Sequence, residues 1–341
     1  MNEIPSQGKK PIQIWLYTGM IMIIIMIMIG GITRLTHSGL SMVDWKPIMG
    51  SIPPITESDW QESFEKYKAF PEYQIKNFDM ELSEYKNIFF WEYFHRLWGR
   101  LMGIVFIIPF IIFWKKNYFP KPWFSRFLWI VIGGGLVGAL GWFMVLSGLK
   151  DKPAVSHYRL AIHLVAAFTL LAYIYWQSLK VKYGETREAL KKTMAINSII
   201  FLAYIQIIYG AFVAGLKAGL IHNTWPDMDG VFIHENTFAL SPFWENLFQH
   251  QSGVQFIHRS IAYLLLIAVL IFGIKNWSKI SEKMNQSIQF SFWIILFQFS
   301  VGVITLLLKV PLALGIIHQI IAIFLLLSLF RIRFFKIYKT I

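Results

Sequence analysis

The chain has 341 residues, 56% of them hydrophobic, 17% aromatic and only 15% charged, with no cysteine and a formal net charge of +13. This balance excludes an ordinary soluble domain, and the missing cysteines exclude disulfides, thiolate metal sites, iron–sulfur clusters and cysteine nucleophiles. The positive charge does not imply nucleic acid, because it is spread over short segments between long apolar runs.

Taken in order, eight apolar runs are each about long enough, near 20 residues, to cross a bilayer as a helix. They lie near 11–33, 88–114, 125–148, 157–179, 193–216, 254–275, 287–308 and 311–331. The first exceeds a signal-peptide core and lacks a small-residue cleavage site, so it is read as a retained helix. The expected fold is an all-α polytopic membrane protein. A long polar loop, 34–87, with Trp45, Pro47, Pro53, Pro54 and Trp60, follows the first run. A second, 217–253, carries Asn223-Thr224-Trp225-Pro226-Asp227, and the last two runs meet at Pro311 as a hairpin.

Lysine and arginine orient the chain. Lys9 and Lys10 precede the first helix, and Lys115, Lys116, Lys121 and Arg126 lie between the second and third. Lys180, Lys182, Arg187, Lys191 and Lys192 follow the fourth, Lys275, Lys279 and Lys283 the sixth, and Arg331, Arg333, Lys336 and Lys339 the eighth. These basic segments alternate with the two long loops, where acids balance or outnumber bases. Both termini are expected in the cytoplasm and the long loops outside.

An internal repeat runs through this pattern. An offset of 180 residues places Gly30 on Gly210, Gly39-Leu40 on Gly219-Leu220, Trp45 on Trp225 and Gly50 on Gly230. Past the loops, His95-Arg96 falls on His258-Arg259, and His163 on His318 with Ala167 on Ala322. The sequence predicts two tandem four-helix bundles, residues 1–185 and 186–341, related by a pseudo-twofold axis along the membrane normal. Four histidines, His95, His163, His258 and His318, lie inside spans in matching pairs. His37, His157, His222, His234 and His250 lie in loops or at their edges and are read as interfacial imidazoles.

Spans two, four, six and eight run in one direction, and each histidine lies near the loop end of its span. Within one half, two imidazoles opposed across a bundle core form the ligand set of a six-coordinate haem; zinc or copper normally takes three or four protein ligands. Gly99, Gly103 and Gly253 are the small residues expected to admit a flat macrocycle. Arg96, Arg100 and Arg259 are placed either to neutralise its propionates or to snorkel to the interface. Ionisable groups at membrane depth mark function, and Glu92, one turn from His95, is matched in the second half by the neutral Gln255. One haem is therefore expected to be a held electron carrier and the other to occupy a reaction site. A di-haem b-type electron-transfer subunit acting with quinones is the rival reading, and a repeat-built transporter a third.

The strings GGITRLTHSGLSMVDWKPIMGSIPP (Gly30–Pro54), FFWEYFHRLWGR (Phe89–Arg100) and VSHYRLAIHL (Val155–Leu164) in the first half resemble the haem A synthase family. So do GLIHNTWPDMDG (Gly219–Gly230), QFIHRSIAY (Gln255–Tyr263) and LGIIHQIIA (Leu314–Ala322) in the second. The resemblance is to the mitochondrial-like branch; the cysteine pair of another bacterial branch is absent. It implies oxidation of the C8 methyl group of haem O to a formyl group, giving the haem A of terminal oxidases. That is a four-electron change, accounted for by two hydroxylations and loss of water. It further implies that His258 and His318 ligate a resident haem b, that His95 and His163 ligate the substrate haem, and that Glu92 is the essential acid, acting in proton transfer or in stabilising positive charge. His157 departs from the family pattern and is given no role. The implied partners are haem O, the lipid bilayer, haem O synthase, terminal oxidase assembly proteins and an unidentified electron donor, in a bacterial cell membrane.

Overall fold

A computed structural model describes residues 3–43, 52–149, 153–186, 193–277 and 281–338. Trp45, Pro47, Gly50, Arg187, Lys191, Lys192, Lys279 and Lys339 lie outside the described residues. The described elements are α1 (Ser6–Leu35), α2 (Glu57–Lys68), α3 (Pro71–Lys76), α4 (Leu82–Lys115), α5 (Lys121–Val145), α6 (His157–Tyr183), α7 (Met194–Gly215), α8 (Trp244–Phe248), α9 (Gln251–Asn276), α10 (Glu282–Leu307) and α11 (Leu312–Ile337), with 3₁₀ turns at Ala218–Leu220 and Glu235–Phe238. Eight of them, α1, α4, α5, α6, α7, α9, α10 and α11, are long and apolar enough to cross a membrane. The all-α expectation holds, because in lipid each backbone donor must find its acceptor inside its own helix.

Several helices outrun their apolar stretches. α4 begins at Leu82, where a capping box between Glu81 and Glu84 starts it within the polar loop. The loop 34–87 is not wholly irregular, since α2 and α3 lie in it. Thr56 and Asp59 cap α2 reciprocally, and its apolar face packs on α4, with Phe64 and Tyr67 stacked on Tyr85 and Trp60 edge-on to Phe89. The polar exposed face of α2 hid this aromatic cap from a reading based on long apolar runs.

In the N-terminal half α1 packs on α4 and α6, and α5 on α4 and α6; in the C-terminal half α7 packs on α9 and α11, and α10 on α9 and α11. The halves meet where α6 packs on α7 and α11, and α1 on α11. Arg34, at the end of α1, donates to the carbonyls of Ala214 and Gly215 at 2.9 Å each. These are among the last carbonyls of α7, at the negative end of the helix dipole.

At the basic end of the bundle Trp15 sits edge-on to Phe106, Phe113 and Phe127 and donates from Nε1 to the Val105 carbonyl at 3.0 Å. The basic segments gather around that core: Arg126 and Lys180 share Glu185 at 2.9 Å, and Lys283 lies over the Tyr183 ring. At the opposite end lie the two long loops and the four paired histidines.

Candidate functional site

Each intramembrane histidine rests against a glycine of the preceding helix in its half. A methyl group built at Gly30 on α1 would lie 3.4 Å from His95 Nε2, and one at Gly141 on α5 would lie 2.9 Å from His163 Cε1. In the other half, a methyl at Gly210 on α7 would lie 3.4 Å from His258 Cε1, and one at Gly302 on α10 only 2.7 Å from His318 Cε1. The missing Cβ atoms at Gly141 and Gly302 therefore make room for the His163 and His318 rings, while Gly30 and Gly210 lie at ordinary contact distance from His95 and His258. His95 lies within electrostatic range of His163, and His258 of His318. The pairs expected from the repeat are thus brought together, one in each half.

Gly99, Gly103 and Gly253 do something else. Gly99 faces the Met26 methyl, Gly103 has nothing within 4 Å, and Gly253 is pressed against the Asn246 and Thr237 carbonyls of the second loop. None of the three touches a histidine ring, and the backbone of the second loop fills the space at Gly253.

Four positions before each cradling glycine, one helical turn away, the two halves diverge. The C-terminal half has Gln206 and Gln298; the N-terminal half has Met26 and Val137. The Gln206 amide lies 3.2 and 3.3 Å from the ring nitrogens of His258, and that of Gln298 lies 3.3 and 3.4 Å from those of His318. The Oε1 atoms of both glutamines are buried without a donor. In the N-terminal half His163 Nδ1–H instead donates to the Val137 backbone carbonyl at 3.1 Å, which leaves Nε2 as the ring's free nitrogen. The glutamines went unnoticed in the sequence, although the shared Gln-x-x-x-Gly spacing was there to be found.

Glu92 is 3% exposed and held by three donors. Its Oε2 accepts from the Ser41 hydroxyl and from the Met42 backbone N–H, both at 2.8 Å, and its Oε1 accepts from Arg96 Nη2 at 2.5 Å. Gln255 occupies the matching station: also buried, it donates to the Ala218 and Ile221 carbonyls at 2.8 and 2.6 Å. Residues 218 and 221 are 180 positions after Ser38 and Ser41, so both side chains pin the same stretch of their loops. Gln255 is thus the structural counterpart of Glu92 as the repeat implied, and the halves differ there in residue type and in hydrogen-bond direction.

Two of the arginines are tied to the long loops. Arg96 donates to the Met42 carbonyl at 2.8 Å. Arg259 donates to the carbonyls of His222, the position 180 after Met42, and of Asp227 at 2.6 and 2.7 Å. Each ties its loop to the helix turn that carries the histidine, and Arg259 keeps one buried N–H, at Nε, without an acceptor. Arg100 sits one turn further along α4, within electrostatic range of Arg96 and Tyr93. Among the loop histidines, His157 joins α6 to the second loop by donating from Nε2 to the Phe248 carbonyl at 2.8 Å. Burial beside Lys217 and Arg34 holds the His37 imidazole below its ordinary value.

An apolar groove of about 720 Å³ opens beside His163 between α5, α6 and α7, lined by residues that include Trp129, Leu136, Val137, Ile162 and Phe212. A pair of neighbouring imidazoles in each half, each beside a glycine, could hold the metal of a flat macrocycle.

Comparison with known proteins agrees in family. The COX15-CtaA family of cytochrome oxidase assembly proteins matches residues 13–330. The chain is 47% identical to a haem A synthase of Flavobacterium psychrophilum over 94% of its own length and 96% of the relative's. It is 45% identical to that of Flavobacterium johnsoniae with the same coverage, and 42% identical to that of Wolbachia pipientis over 94% and 91%. The chain belongs to the COX15-CtaA family of cytochrome oxidase assembly proteins.

Proposed function

We infer that the protein is a haem A synthase, an integral membrane oxidoreductase that converts the C8 methyl group of haem O to the formyl group of haem A. The observation that carries the division of labour is the glutamine pair. Both halves cradle two histidines against glycines, but only the C-terminal half adds Gln206 and Gln298 beside the rings. An acceptor for the outer ring N–H fixes the orientation of a ligating imidazole and raises its basicity, and the buried, donorless Oε1 of each glutamine supplies one when the amide is turned. That supports a resident haem b on His258 and His318, and a substrate haem on the less constrained His95 and His163. An iron porphyrin bound there supplies one-electron chemistry at its metal.

The chain's own residues bind and orient. His258 and His318 would hold the haem iron, and the buried Arg259 Nε–H is free to meet a propionate. Glu92, paired with Arg96 and held by three donors, sets a carboxyl group one helical turn from His95. It stabilises positive charge at the carbon being oxidised, and the Ser41 hydroxyl at Oε2 offers a route for a proton. The apolar groove by His163 suits the isoprenoid tail of haem O and opens toward lipid. The repeat supports two halves, residues 1–185 and 186–341, related by a pseudo-twofold axis. The basic segments support cytoplasmic termini in a bacterial cell membrane, with haem O synthase as source of substrate, oxidase assembly proteins as recipients and a separate electron donor.

Expression of Glu92→Gln followed by analysis of extracted haems tests the chemistry. Gln255 fills the same station in the sister half, so the variant should fold, yet accumulate haem O or a hydroxylated intermediate; haem A at parental levels would remove Glu92 from the reaction. Optical spectra test the assignment of halves: His258→Ala and His318→Ala should lose the b-type spectrum, whereas His95→Ala and His163→Ala should keep it.

A further inference from the structure

The loop from α7 to α9 holds three side chains of metal-ligand type that the haem sites do not use. His222, Asp229 and His234 each offer one ligand atom, and these atoms lie within 4.8 Å of one another. His222 Nδ1 stands 2.5 Å from Asp229 Oδ2, and the His222 and His234 rings are 4.3 Å apart. The His222 side chain is 8% exposed and that of Asp229 47%, so the cluster is walled on one side and open to water on the other.

Each ligand is held from behind. Nε2 of His222 lies 2.6 Å from the Ser252 hydroxyl; with the proton on that nitrogen, Nδ1 turns its lone pair to the cluster, the support that orients imidazole ligands at metal sites. His234 Nδ1 accepts from the Asn236 backbone N–H at 3.1 Å, leaving Nε2 free. Asp229 opens a two-residue turn between Met228 and Val231, and its N–H donates to Thr224 Oγ1 at 2.7 Å. Its φ is +56°, and that of His222 is +45°. Left-handed backbone at two of three ligand-type residues is strain of the kind that gathers at functional sites, and at His222 Arg259 holds it by binding the carbonyl.

We propose that His222 Nδ1, Asp229 Oδ2 and His234 Nε2 bind a divalent late first-row transition ion of the zinc class, with water as fourth ligand. Two imidazoles and one carboxylate suit such ions, whereas calcium and magnesium take oxygen-rich shells. Bonds of about 2.0–2.1 Å in a tetrahedron set ligand atoms roughly 3.3 Å apart. Asp229 therefore swings out by under about 1 Å, which a half-exposed side chain at a turn permits. The ion braces the loop that Arg259 ties to the helix turn of His258. The site stands apart from the four intramembrane histidines and does not depend on what they bind.

Purified full-length protein, stripped with chelator and dialysed against limiting Zn²⁺, should retain one zinc per chain, counted by mass spectrometry separately from iron. Zinc K-edge absorption should report two imidazole ligands. Asp229→Asn and His234→Ala should each weaken zinc binding at least about tenfold, while His250→Ala, at the start of α9, should bind as the parent does. Zinc retained by neither parent nor variants, or retained equally by parent and Asp229→Asn, would overturn the proposal. Because Asp229 lies at an exposed turn, its variant keeps the test decisive should His234→Ala fail to insert.

Discussion

Gly302→Ala and Gly210→Ala form a matched pair whose outcomes should differ. At Gly302 the added methyl would stand 2.7 Å from His318 Cε1, whereas at Gly210 it would stand 3.4 Å from His258 Cε1, an ordinary contact. The His318 ring must therefore retreat by about 0.7 Å, and the His258 ring need not move. Forcing a methyl group into a packed core costs about 1–3 kcal/mol, which corresponds to about 5- to 150-fold in affinity for whatever the ring ligates. The assay is haem per chain by pyridine haemochrome after purification in the presence of graded haem, with the low-spin b-type spectrum as the readout. Gly210→Ala should match the parent, and Gly302→Ala should lose haem and low-spin character. Equal retention by the two variants would refute the cradle argument, as would equal loss.

Three further outcomes follow from other parts of the structure. Replacing Gln206 or Gln298 with Leu removes a hydrogen bond worth about 1 kcal/mol beside an axial histidine, or about 40 mV for a one-electron couple; the midpoint potential of the b-type haem should rise by that order, while an unmoved potential in both variants would remove the glutamines from tuning. Burial raises the Glu72 carboxyl of α3 from its ordinary 4.5 to about 7, against smaller lowering by the Tyr67 hydroxyl and by Lys76 and a smaller rise from Glu92. The folded cap thus binds a proton more tightly than the unfolded chain, so its stability is full below the ordinary value and is lost as pH rises through about 7, on the order of 3 kcal/mol by pH 8; Glu72→Gln should flatten that dependence in hydrogen exchange of residues 57–76. Arg34→Ala removes two hydrogen bonds across the seam between halves and should cost about 1–3 kcal/mol, read as a lower melting temperature in detergent, with no change expected if the seam is held by apolar packing alone.

The eight spans were legible because bilayer thickness demands long apolar runs, which few other structures require. The histidine pairs were legible because duplication repeats them. Glycine cradles were not, since seven of the eight membrane-length helices carry glycines and only the fold says which one faces an imidazole: Gly103 faces nothing and Gly302 faces His318. Gln206 and Gln298 were missed for a related reason, as a lone polar side chain on an apolar helix has no visible partner until the helices are packed. The contrast between Glu92 and Gln255 was readable as a difference in charge. That both pin equivalent loop segments depends on carbonyls and N–H groups of residues 38–42 and 218–222, which side-chain identity does not reveal.

The arginine ties have a consequence for how a large substrate reaches the bundle. Arg259 places two hydrogen bonds on carbonyls of its loop and Arg96 one, on the Met42 carbonyl, and bonds to a charged donor are worth about 1.5–3 kcal/mol each. Lifting the second loop away thus costs about 3–6 kcal/mol, which leaves roughly one molecule in 10² to 10⁴ open there at any moment. Traffic through the loop end would be throttled by that fraction, whereas the groove between α5, α6 and α7 is already open along its side. The junctions behave as closed doors in the ends of a corridor whose side wall is missing, and a hydrophobic passenger arriving within the bilayer never has to knock at them.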